Sequence, residues 1–80
     1  MKIKLNTVTE VNDFCRIASG YESDVIVSHG KYAVDGKSLM GLYSLNLSEV
    51  LNVEFVSKDE DENDFWDKIS KMNIIVGGNC

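Results

Sequence analysis

The hydrophobic pattern of this chain changes period along its length, from two residues to about 3.6 and back, so no single kind of element can account for it. Ile3 and Leu5 alternate with Lys2, Lys4 and Asn6, which predicts a short strand with one buried side. Thr7-Val8-Thr9-Glu10 has the form of a capping box: a hydroxyl placed to accept from the amide three residues on, and a carboxylate placed to reach back. Val11, Phe14, Cys15 and Ala18 then recur at helical spacing, and Gly20 stands at the C-terminal cap position, so the first helix runs from about Val8 to Ser19.

From Asp24 to Ser28 the run Val25-Ile26-Val27 favours a strand. His29-Gly30 is a turn signal and Tyr32-Ala33-Val34 a second short strand, so the pair reads as a hairpin. Asp35-Gly36 breaks it. Ser38 is the expected N-cap of a short helix carrying Leu39, Met40, Leu42, Tyr43 and Leu45, more apolar residues than one buried stripe requires. Gly41 in its middle costs about 1 kcal/mol relative to alanine, which points to close packing or a functional surface. Val50 to Val56 predicts another strand. Asp59 or Asp61 can cap a last helix whose apolar positions are Phe65, Trp66, Ile69 and Met72. Ile74-Ile75-Val76 is an apolar run with no evident place, and residues 73–80, with Gly77-Gly78-Asn79, read as a tail.

The order is therefore β-α-β-β-α-β-α. Three one-sided helices must share a core, which predicts an α+β fold: an open-faced two-layer sandwich with a four-stranded, mainly antiparallel sheet and three helices on one face. At 80 residues the expectation is a single domain over 1–80, burying about 60% of its unfolded surface.

Charge and cysteine usage narrow the function classes. The net charge of −5 repels phosphate backbones and argues against direct nucleic-acid binding. The acidic run Asp59-Glu60-Asp61-Glu62, with Asp64, reads as a loop feeding the positive end of a helix dipole. No apolar stretch approaches the ~20 residues of a membrane span, and the expected location is cytoplasmic. The two cysteines, Cys15 and Cys80, form no metal-ligand spacing, so no metal and no cofactor are expected. Cys15 and Trp66 are expected in the core, and His29 in a solvated turn.

The segment Val34-Asp35-Gly36-Lys37-Ser38-Leu39-Met40-Gly41-Leu42-Tyr43-Ser44-Leu45 resembles a stretch of the histidine-containing phosphocarrier (HPr) family of the bacterial sugar phosphotransferase system. Ala18-Ser19-Gly20-Tyr21 with Asp24-Val25, and Asp61-Glu62-Asn63-Asp64, are similar to the end of the family's first helix with its second strand, and to the start of its last helix. The ungapped likeness extends from the first strand to Met72. It implies the same topology that the residues give on their own.

What the resemblance implies about activity turns on a loss. The family's His-x-Arg-Pro motif falls on Thr7-Val8-Thr9-Glu10, so the phosphoryl-accepting histidine is replaced by Thr7, the arginine by Thr9 and the proline by Glu10. Carrier chemistry needs an imidazole nucleophile, helix-start amides and a cation around the phosphoryl group. Thr7 has no base beside it, and Glu10 puts negative charge where the group would sit. No catalytic residue is assigned and the chain is not expected to be an enzyme. Ser38 aligns with the family's regulatory serine, and a phosphate there would meet the amides of a helix start with Lys37 alongside. Lys37, Leu39, Met40 and Tyr43 are the candidate partner-binding residues. The resemblance implies a divergent, Crh-like regulatory or interaction protein, named for the catabolite-repression paralogue that lacks the histidine and keeps the serine. Its implied partners are an HPr kinase or a transcription regulator of carbon catabolite control, with the chain a monomer or weak dimer. The alternative is a degenerate domain of the same fold, repurposed to bind another partner or itself and unrelated to sugar transport.

Overall fold

In a computed structural model, which describes residues 1–76, the elements follow the order β1 (Lys2–Ile3), α1 (Val8–Ser19), β2 (Asp24–His29), β3 (Tyr32–Asp35), α2 (Leu39–Ser44), β4 (Leu51–Val56) and α3 (Glu62–Ser70). The strands form one sheet in the order β1-β4-β2-β3, and each adjacent pair is antiparallel. Val25 lies opposite Phe55 and Val27 opposite both Val53 and Val34, so their side chains share one side of the pleat. That side meets Val11, Phe14 and Ala18 of α1, Leu42 of α2, and Phe65 and Ile69 of α3 in one hydrophobic cluster. The three helices thus cover one face and leave the other open, the two-layer α+β arrangement expected from the pattern.

Local chemistry sets the element ends. Thr7, Ser38 and Asp61 all have extended backbones and accept, through their side chains, from Glu10 N–H, Gly41 N–H and Asn63 N–H respectively. Glu62 and Asp64 fill the first turn of α3, where negative charge meets the positive end of the dipole. Gly30 turns the β2–β3 hairpin with φ of 60°, a conformation that penalises a side chain. Gly41 is explained by packing: a Cβ there would lie 3.2 Å from the Val34 Cβ, so its absence lets α2 approach β3.

Several expectations need correction. β4 starts at Leu51, and Val50 stands outside it, 41% exposed. Gly20 does cap α1 as expected, with φ of −78° in the right-handed region. Trp66 is only half-buried, because its indole N–H donates to the Glu62 carboxylate at 2.7 Å on the exposed side of α3. Cys15 is also half-buried; its thiol points at the Lys37 carbonyl, 3.3 Å away, and so sits at the rim of the core. Ile74-Ile75-Val76 has a definite place: Ile74 is buried, Lys4 N–H donates to its carbonyl, Ile75 bridges Ile3, and Val76 N–H donates to the Lys2 carbonyl. Residues 73–76 of the expected tail therefore flank β1. Gly77-Gly78-Asn79 and Cys80 lie outside the described residues.

Candidate functional site

The connection from β1 into α1 ends in the Thr7 cap. Thr7 Oγ1 accepts from Glu10 N–H at 3.0 Å, and Glu10 Oε1 accepts from Asn6 N–H at 2.7 Å. The reciprocal box is present with one difference: the carboxylate reaches one residue further back than the cap residue itself. Two N–H groups at this helix start are thereby taken by the chain's own side chains.

Beside the cap lies a groove of about 430 Å³, walled by Leu5, Thr7, Val8 and Val11 on one side and by Tyr43, Leu47 and Ser48 on the other. Lys4 and Asn6 complete its rim. The walls come from elements far apart in sequence, held together because α2 packs on α1 and β3. Val8 is 64% exposed, an apolar side chain at the first helical position with nothing covering it. The groove thus brings Thr7 and Tyr43 together. Val8, Leu47 and Ser48 belong to it and were not anticipated from the sequence. An apolar residue at the first turn of a helix, off the Val11-Phe14-Ala18 stripe, was the available signal for Val8.

The other candidates cluster at the opposite end of α2. Ser38 is half-buried as its N-cap, with Gly41 N–H donating to Oγ at 3.1 Å. Lys37 N–H donates to Asp35 Oδ1, and the Lys37 carbonyl receives the Cys15 thiol. Cys15 lies eight residues beyond Thr7, about 12 Å along α1, so Ser38 and Thr7 mark two ends of one helix-lined face. Between them Leu39, Met40 and Tyr43 are 40%, 85% and 44% exposed, while Leu42 is fully buried. Apolar residues fall on more than one side of α2, as expected, and only one side is consumed by the core. His29 is not part of this face: it ends β2, its ring nitrogen approaches the Val50 carbonyl at 3.4 Å, and β4 separates β2 from β1.

With this geometry in place, comparison with known proteins decides the family. The model of the PTS HPr family, described as the PTS HPr component phosphorylation site, matches residues 10–73. The chain belongs to the HPr family. The match opens at Glu10, just after Thr7-Val8-Thr9. No curated protein sequence matches the chain. Solved HPr structures overlay it closely: HPr-C-His from Thermoanaerobacter tengcongensis with a TM-score of 0.72 at 25% identity, covering 90% of this chain and 91% of that one. The HPr dimer from the same organism gives 0.64 at 29% identity, covering 88% and 92%. The catabolite repression protein Crh of Bacillus subtilis, crystallised as a domain-swapped, intertwined dimer, gives 0.64 at 24% identity, covering 88% and 80%, a likeness of fold.

Proposed function

We propose that this HPr-family protein does not carry phosphoryl groups, and acts instead as a regulatory or interaction protein that docks partners through the α1–α2 face, with Ser38 as its phosphorylation site. The observation that carries the first part is the closed cap at the start of α1. The residue aligned with the carrier histidine is Thr7, whose oxygen accepts from Glu10 N–H. The Glu10 carboxylate, bonded to Asn6 N–H, brings negative charge to the place where a phosphoryl group would need positive charge and free amides. A threonine hydroxyl with no base to deprotonate it is a poor nucleophile at neutral pH. Incubation with phosphoenolpyruvate and the general phosphotransferase, enzyme I, followed by intact-mass measurement, should show no added phosphate. One phosphate on Thr7 or His29 overturns this reading.

Support for a docking role comes from Leu39, Met40 and Tyr43, which stay exposed beside the groove with Lys37 at the head of the same helix. Contiguous exposed apolar residues on a small domain mark an interaction surface. Ser38 is supported by its alignment with the family's regulatory serine and by Lys37 beside it; its hydroxyl accepts from Gly41 N–H as the α2 cap, and the Asp35 carboxylate, bonded to Lys37 N–H, lies at the same helix start. Treatment of the native protein with an HPr kinase and ATP should add one phosphate at Ser38, and an unmodified protein counts against the assignment. A transcription regulator of carbon catabolite control is the partner the family suggests, tested by binding with and without that phosphate.

The HPr dimer of Thermoanaerobacter tengcongensis supports a second reading, in which the domain associates with itself; the α1–α2 face is the candidate surface for that contact. Light scattering separates the two: a dimer with Leu39 and Tyr43 protected from exchange supports self-association, and a monomer supports the docking of other proteins.

A further inference from the structure

We propose that the uncovered face of the sheet is a second docking surface, one that takes a basic segment of a partner protein. The helices occupy a single side of the sheet, so no helix covers the outward residues of β2, β3 and β4. Strand register places them. Asp35 and Glu54 lie opposite Ile26 from its two sides, and Asp24 lies opposite Val56 in the adjacent row. With neighbouring strands about 4.8 Å apart, Asp35 and Glu54 stand roughly 10 Å from each other with Ile26 between them. Val56 is 40% exposed and Ile26 half-buried, so an aliphatic centre is framed by three carboxylates.

None of these carboxylates has a salt-bridge partner among the described residues; the ion pairs there join Arg16 to Asp13, Lys68 to Asp64 and Lys71 to Asp67, all within helices. Asp35 Oδ1 accepts from Lys37 N–H; the cation that register sets on this face is Lys2, opposite Asn52 in the row next to Glu54, and it forms no ion pair with the three carboxylates. A shallow cleft of about 340 Å³ runs between β2 and β3 beside Ile26. Charge complementarity therefore selects the occupant: a lysine- or arginine-bearing segment whose apolar side chain rests on Ile26 and Val56 while its cations meet Asp24, Asp35 and Glu54. A second copy of the chain is a poor fit, since it carries a net charge of −5. Nucleic acid is repelled by the same three carboxylates.

This surface is separate from the α1–α2 face and stands or falls independently of it. The test is an NMR titration of the whole protein with a synthetic peptide of alternating lysine and valine, at low and at physiological salt, alongside a glutamate–valine peptide of the same length. Saturable, salt-sensitive shifts centred on Ile26, Glu54 and Val56, seen with the basic peptide alone, are expected. The double variant Asp24→Asn/Glu54→Gln, whose substitutions lie on exposed positions of the sheet, should weaken binding at least tenfold while its spectrum stays folded. Shifts confined to the Asp59–Glu62 loop or to the α1–α2 face, equal binding by the variant, or no saturation each overturn the proposal.

Discussion

Glu60 holds two distant loops together with a single carboxylate. It accepts from Glu22 N–H at 3.1 Å, Ser23 N–H at 2.8 Å and Ser23 Oγ at 2.7 Å, and the fully buried Ser23 oxygen in turn accepts from Lys58 N–H. The Ser23 hydroxyl and the Ser23 and Glu22 amides hold the Glu60 carboxyl below its ordinary range. Asp64 is held low as well, chiefly by the Tyr21 hydroxyl that donates to it at 2.6 Å, with Lys68 adding its charge. Both groups bind fewer protons in the folded state than in the unfolded one. Their stabilisation is complete above the unfolded carboxylate value, about pH 4–4.5, and is lost as pH falls through the lower folded values. Chemical denaturation at a series of acidic pH values should show that decline, and Glu60→Gln should lower the neutral midpoint and flatten the acid limb. At the other end of the molecule Thr7→Ala removes the α1 cap and should cost about 1 kcal/mol in the same measurement. The Thr7–Glu10 spacing announced that cap in the sequence. The Glu60 clamp was invisible there, because its donors lie 37 and 38 residues away along the chain.

At the scale of elements, helix starts were the most legible feature, since one oxygen three residues from an amide is a local arrangement. The span of α1, Val8–Ser19, follows from the cap and from the Val11-Phe14-Ala18 stripe. What α2 does with its surplus of apolar residues was less legible. Leu42 and Leu45 go to the core while Met40 is left out, because contact with β3 through Gly41 fixes the helix rotation. Met40→Ala should therefore alter stability by no more than about 0.5 kcal/mol. If the α1–α2 face is the docking surface, the same change weakens partner binding, and calorimetry with a partner reads the two effects apart. The entry into α2 is tighter. A Cβ on Gly36 would stand 2.8 Å from Val25 Cγ1 and 3.1 Å from the Val25 carbonyl oxygen, which cannot move without breaking the Gly36 N–H bond to it. Gly36→Ala should destabilise by about 1–3 kcal/mol in urea unfolding, although glycine-to-alanine changes usually help where the backbone allows them.

Over the whole molecule, Phe65 is the hub of the core. It stacks on Phe55 with ring centroids 4.8 Å apart and meets Phe14, Tyr21 and Trp66 edge-on, joining α3 to β4, α1 and the α1–β2 connection. The closing segment matters as much. Asn73 turns the chain out of α3 with φ of 64°, a left-handed conformation that asparagine tolerates, and Ile74 then enters the core at 2% exposure. Ile74→Ala should cost about 2–5 kcal/mol. A chain of this size has a total stability of roughly 4–12 kcal/mol, so thermal melting should fall steeply or the variant should fail to fold.

Sequence alone determined the element order, the α+β class and the caps of α1 and α2, because each is written in spacings of two to four residues. Tertiary structure decided which apolar residues of α2 remain outside, where Ile74-Ile75-Val76 goes and how the groove beside Thr7 is walled. Those outcomes depend on β1 lying next to β4 and α2 resting on β3, contacts between residues remote in the chain. No local periodicity encodes them: burial at such positions is set by what the rest of the molecule brings alongside.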